Sequence, residues 1–185
     1  MRKAIGWMSV SLDGYFEGPG HQLDRHRIDE ELHTYFDTEL AGMSAFLAGR
    51  RSHELMSGFW PTADADPANP APIREFAGIW RRMPKIVYSR TLTRADWGAT
   101  IVRDVDPDEV NALKEQPGGD MIVGGAEITA VFRRLDLIDE YRIFVHPVLL
   151  RRGNLLFGPT GRPDDLRLVE TRAFGNGVVM LRHQR

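Results

Sequence analysis

Three places in the chain set glycine, arginine or hydroxyl residues immediately after a short apolar run. They are Gly49-Arg50-Arg51-Ser52 after SAFLA, Ser89-Arg90-Thr91 closing KIVYS, and Gly124-Gly125 after MIV, with Ala126, Glu127, Ile128 and Thr129 opening a helical pattern beyond. A glycine between strand and helix lets bare backbone N–H groups and the positive helix end approach a phosphate. Guanidinium and hydroxyl groups can hold the phosphate oxygens. Each junction also has an ordinary reading, as a tight corner for Gly124-Gly125 and as solvated side chains for the arginines. Together they fit a dinucleotide with an extra phosphate. Arginine and hydroxyl groups would surround a 2'-phosphate and the glycine backbone would meet the pyrophosphate, which makes NADPH the economical candidate.

Proton transfer needs a titratable group near the reacting end. Asp13 stands at the exit of the first apolar run, and Glu31 and His33 lie on the first helical pattern. The ordinary alternatives are a turn cap for Asp13 and solvated side chains for the other two. The chain lacks GxGxxG, GxxxxGK[ST] and GxSxG, so the usual dinucleotide fingerprint, the P-loop and the nucleophile elbow are missing. It has no cysteine, and its six histidines show no ligand spacing. Thiolate chemistry is excluded and no metal site is expected.

These groups must be positioned by an alternating pattern of strands and helices. Residues 3–10 read as a buried first strand, and residues 11–27 as a long loop whose glycines at 14, 18 and 20 suit a lid over a site. Ile28, Leu32, Tyr35, Phe36 and Leu40 recur at helical spacing behind Asp29, Glu30 and Glu31. Residues 61–72, with four prolines, read as an exposed loop, and 73–82 as a short helix. Strands follow at 85–89 and 99–102. Asp106-Pro107-Asp108-Glu109 then places an Asp at the N-cap and Pro at N1 of a helix that ends before Pro117. After the strand at 121–123 and its helix, the last third is strand-rich and ends in a hairpin through Gly175-Asn176-Gly177. The order predicts an α/β fold with a mainly parallel sheet finished by antiparallel strands.

The composition suits one domain over residues 1–185, with 42% hydrophobic and 27% charged residues. A net charge of -2 and a pI near 6.3 give no general attraction to nucleic acid or anionic lipid. No apolar run reaches the length of a membrane span or signal core, so the expected setting is the cytoplasm. Phe144, Val145, Val148, Leu149, Leu150, Leu155, Leu156 and Phe157 offer apolar surface for a homodimer.

Five motifs in order carry a family resemblance over nearly the whole chain: SLDGYFEG (11–18), LAGRRSHELM (47–56), KIVYSRTL (85–92), MIVGGAEI (121–128) and LIDEYRIFVHPVLLRRGNLLF (137–157). The sequence resembles the dihydrofolate-reductase-like superfamily, in the branch of the riboflavin-biosynthesis C-terminal reductase domain and its stand-alone bacterial relatives. The resemblance implies a central sheet of about eight mostly parallel strands with flanking helices and a C-terminal antiparallel hairpin. It implies NADPH across the strand ends, with residues 49–52 and 89–91 toward the adenosine phosphate and 124–129 toward the pyrophosphate. It also implies hydride transfer to a C=N or C=O bond of a small pterin- or pyrimidine-like substrate. Asp13 is the substrate-side expectation, and Glu31 or His33 matches the acid of the first helix. The alternative is an NADP(H)-binding protein without turnover.

Overall fold

The computed structural model of the chain describes residues 1–158 and 163–185. Its strands are β1 (Ala4–Ser11), β2 (Tyr15–Glu17), β3 (Ala45–Gly49), β4 (Lys85–Tyr88), β5 (Ala99–Val102), β6 (Met121–Gly124), β7 (Glu140–His146), β8 (Asn154–Leu155), β9 (Arg167–Ala173) and β10 (Val179–Gln184). Its helices are α1 (Glu30–Ala41), α2 (Arg50–Ser57), α3 (Ala71–Arg82), α4 (Pro107–Glu115) and α5 (Ala126–Arg134). Eight strands form one sheet in the order β5-β4-β3-β6-β1-β7-β10-β9, parallel from β5 to β7 and antiparallel at β10 and β9. β2 and β8 make a separate two-stranded ribbon.

All four residues of β6 are buried, as its apolar MIVG sequence requires for a strand with neighbours on both sides and packing on both faces. Along β7 the faces alternate. Tyr141 and Ile143 join a core with Ile128 and Phe132 of α5, whereas Phe144 joins Leu32 of α1, Phe174, Val178 and Met180. β9 is an edge strand, and all seven of its residues are exposed.

The helix starts differ in a way that bears on the site. Asp29 caps α1 by accepting from Leu32 N at 3.0 Å, and Asp106 caps α4 by accepting from Asp108 N at 2.9 Å. The N-caps of α2 and α5 are Gly49 and Gly125, which have no side chain to offer the first N–H groups.

The sequence expectations need three corrections. Residues 61–72 are not one exposed loop, because a 3-10 helix spans Trp60–Ala65 with Pro61 and Ala63 buried, and α3 begins at Ala71. The Trp60 ring packs edge-on against Phe76 at 4.5 Å, and Arg81 binds Pro61 O and Asp64, so α3 holds this segment down. Composition alone read prolines as loop and could not see that anchoring. The loop at 11–27 contains β2, which is paired to β8. Phe144 and Leu156 are buried, so the apolar surface left at that end comes from residues such as Leu149, Leu155 and Phe157.

Candidate functional site

The C-terminal ends of β3 and β6 bring the uncapped starts of α2 and α5 side by side. Gly49, Arg51 and Ser52 from one, and Gly125, Ala126, Glu127 and Ile128 from the other, line a cleft of about 100 Å³. The two glycines at 124 and 125 are required for different reasons. A Cβ on Gly124 would overlap the Phe46 ring of the neighbouring strand, a constraint of sheet packing. Gly125 has φ +105°, and a Cβ there would overlap the Ser52 hydroxyl. Gly125 therefore leaves the two helix starts separated by backbone and one hydroxyl, with their first N–H groups uncapped by side chains. Such a cradle suits an anion.

A second cleft, about 470 Å³, opens on the other side of Ile128 toward the ends of β4 and β5. Four arginines, Arg50, Arg90, Arg103 and Arg134, and two acids, Asp104 and Glu127, line it, an excess of two positive charges. Arg90 is bound to Asp104, and Arg103 donates to Ser89 O at 3.1 Å and Leu92 O at 2.7 Å. Arg50 reaches the Thr91 hydroxyl at 3.5 Å. The Ser89 hydroxyl accepts from Leu92 N at 3.0 Å, which shapes the turn after β4. Gly49, Arg50, Arg51, Ser52, Ser89, Arg90, Gly125, Ala126, Glu127 and Ile128 thus line two adjoining clefts, and Thr91 is reached only through Arg50. Thr129 is set apart: it is buried one turn into α5, with its hydroxyl toward Val123 O.

The loop after β1 closes over the smaller cleft with Phe16, Glu17 and Leu23. Glu17 is buried, and its carboxylate accepts from Asn154 Nδ2 at 2.6 Å and from Arg51 at 3.2 Å. His21 Nδ1 lies 2.7 Å from Glu17 and 2.6 Å from Arg51, so it either donates to the carboxylate or accepts from the guanidinium. Burial acts to raise the Glu17 pKa, but hydrogen bonds from His21 and Asn154 and the Arg51 charge outweigh it and hold the group below its ordinary value.

Asp13, Glu31 and His33 face three different neighbours. Asp13 accepts from Ser11 Oγ at 2.6 Å, Leu150 N at 3.1 Å and Arg151 N at 2.8 Å, which joins the exit of β1 to the segment after β7. Burial raises its pKa, but the bonds from Ser11, Arg151 and Leu150 prevail and lower it, so the group is an ionised clamp. Glu31 is exposed and accepts from Gly175 N of the terminal hairpin at 2.9 Å. His33 is buried against Trp60 and Phe76, with Nδ1 3.4 Å from Asp37 Oδ1. Sequence reasoning passed over Glu17, His21, Asn154, His26 and His146. Glu17 stands inside the SLDGYFEG motif, but its partner Asn154 is 137 positions away, and no local pattern marks such a pair.

Among the described residues no group of three or more His, Asp or Glu side chains is placed to hold a metal ion, and no helix is long and apolar enough to cross a membrane.

The sheet order, with parallel strands finished by two antiparallel ones, is that of a dihydrofolate-reductase-like α/β domain, and both clefts lie at its strand ends. More particularly, residues 2–180 match the RibD C-terminal domain, and the chain belongs to that family. It is 33% identical over 181 residues to the uncharacterised protein YyaP of Bacillus subtilis (strain 168), covering 97% of this chain and 93% of that protein. A shorter match, 42% over 69 residues, joins it to the uncharacterised protein YwjB of the same organism, covering 37% and 40% of the two chains. Among solved structures, a candidate riboflavin biosynthesis protein from Shewanella sp. PV-4 superposes with a TM-score of 0.77 at 20% identity over 99% of this chain and 98% of that one. A pyrimidine reductase-like protein from Corynebacterium diphtheriae gives 0.64 at 12% identity, over 99% and 91%.

Proposed function

We propose that the protein is an NADPH-dependent reductase acting on a C=N or C=O bond of a small pterin- or pyrimidine-like substrate. The observation that carries this reading is the convergence of two uncapped helix starts across Gly125, next to an arginine-rich cleft. The N–H groups of residues 50–52 and 126–127 would hold the pyrophosphate. Arg50, with Arg103 and the hydroxyl of Thr91, would favour a 2'-phosphate over a bare ribose. Bound NADPH supplies a hydride; the chain's own part is to orient the nucleotide and to exclude water with Phe16 and Leu23 of the covering loop. NADPH should quench tryptophan emission saturably and raise the melting temperature, with NADH weaker. A protein unresponsive to both nucleotides overturns the reading.

One observation favours the alternative, an NADP(H)-binding protein without turnover: Asp13, Glu31 and His33 are each committed to contacts within the fold. That reading expects NADPH to bind while the reduced-nicotinamide absorbance stays constant with pterins, pyrimidines and simple carbonyls. We also propose a homodimer, on the exposed edge strand β9 and the apolar residues Leu149, Leu155 and Phe157. A light-scattering mass equal to one 21.0 kDa chain would exclude it.

A further inference from the structure

His146 ends β7 and pairs across the sheet with Ser11 at the end of β1, at the strand edge that carries the cofactor clefts. Its ring is completely buried, and its Nδ1 accepts the backbone N–H of Arg27 at 2.9 Å. That bond fixes the tautomer, because a nitrogen that accepts carries no proton, so the neutral ring holds its hydrogen on Nε2. Nε2 is buried and has no hydrogen-bond partner. The ring of His26 stacks on that of His146 with centroids 4.7 Å apart, and its buried Nε2 also lacks a partner. Two unmatched ring nitrogens side by side are costly in an interior where nearly every polar atom is paired.

We propose that the Nε2–H of His146, with His26 beside it, is a substrate-binding donor for the carbonyl of a neutral lactam ring such as a pterin or pyrimidinone. The inference rests on the reductase reading and gives its substrate side a named contact. Three features support it. Arg27, whose N–H His146 accepts, is exposed and His26 is only half-buried, so the segment that carries the stacked ring lies at the surface. Burial, together with neighbouring His26 and Arg27, pushes the His146 pKa down to about 4, so the ring is uncharged at neutral pH. A neutral N–H in a buried place suits a carbonyl better than a phosphate, whose charge would need a cation. The Nε2 of His26 can pair with the N–H next to that carbonyl. None of the groups expected to act on the substrate occupies this position, since Asp13, Glu31 and His33 bind elsewhere.

The test follows the His146 Nε2–H resonance by nitrogen NMR in the wild-type protein, first with NADPH and then without it. The probes are pterin and uracil, with 2,4-diaminopyrimidine as a ring lacking the carbonyl. Pterin or uracil should move the resonance and the diamino ring should not. Affinity for the responding ring should fall about tenfold in His146→Phe and return to within about threefold in His146→Gln, whose amide restores a donor near Nε2. The resonance decides the matter even where a variant fails to fold. Probes that bind without moving it, a panel with no binder, or a resonance fixed by a buried water overturn the proposal. Absence of NADPH binding counts against the reductase reading separately, because the heterocycle titration is also read without the nucleotide.

Discussion

The two halves of the sheet's C-terminal edge are built on opposite plans. At the ends of β3, β4 and β6 the backbone is left open: α2 and α5 start on glycines, and arginines gather around two clefts. At the ends of β1 and β7 most polar groups are closed on one another, the Nε2 atoms of His26 and His146 excepted. Asp13 clamps residues 150 and 151, Glu31 holds the terminal hairpin, and His146 is tied to Arg27. A polyphosphate can be held by groups that nearly any helix start provides, so the first half needs only the right local geometry. A particular small ring needs donors and acceptors fixed by distant parts of the chain, and the second half is assembled that way.

The sharpest way to break this contrast is Gly125→Ala. A side chain at φ +105° is strained, and here it also meets Ser52, so the fold should lose on the order of 2 kcal/mol and the cradle its shape. NADPH affinity should drop by roughly 100-fold, read by fluorescence titration beside a thermal melt. Equal affinity in wild type and variant would mean that the cradle is not the nucleotide site.

Away from both strand ends, where α1 meets Trp60 and Phe76, a buried pair offers a test of stability. Burial, with Glu75 nearby, pushes the Asp37 pKa up from 3.8 to about 7, while burial lowers that of His33 beside it, so the pair tends to neutrality. The folded protein therefore keeps a proton that the unfolded chain releases above 3.8. That contribution to stability is complete below 3.8 and is lost as pH rises through about 7. Asp37→Asn should flatten the decline in this window and leave the variant more stable than wild type by on the order of 2 kcal/mol at about pH 8. Parallel pH–stability curves for the two proteins would show that Asp37 ionises without cost.

The same contrast explains what the sequence made legible. The open half announces itself in short motifs, because strand, glycine and helix start are adjacent in the chain; the ends of β3, β4 and β6 could be read directly, while their order in the sheet could not. The terminal hairpin was equally plain from its Gly-Asn-Gly turn. The closed half depends on pairs such as Glu17 with Asn154 and His146 with Arg27, separated by more than a hundred positions. Residue type could nominate Asp13, Glu31 and His33 but could not show that Asp13 and Glu31 are hydrogen-bonded within the fold or that His33 is buried beside Asp37. The proline-rich segment misled for a related reason, since Pro61 and Ala63 are buried in a segment that α3 holds through Trp60 and Arg81.

Within the open half, the larger cleft should decide between nucleotides. Arg50→Ala removes the guanidinium nearest Thr91, and NADPH affinity should fall about tenfold while NADH affinity stays within about twofold. Equal losses for both nucleotides would place Arg50 at the shared pyrophosphate and assign the 2'-phosphate to other arginines.

The smallest expected effect lies where the halves meet. Glu17 belongs to the covering loop, yet its carboxylate lines the anion cradle and engages Arg51. A fixed negative charge in that cleft repels an incoming pyrophosphate and competes with it for the guanidinium. Glu17→Gln keeps a group that can meet Asn154 but removes the charge, so NADPH should bind about threefold tighter at low salt, with the gain shrinking as salt is added. Weaker binding at all salt concentrations would mean that the Glu17–Arg51 pair orders the cradle more than it opposes the anion. The loop would then be a part of the nucleotide site, and the division between an open half and a closed half would stop at β2.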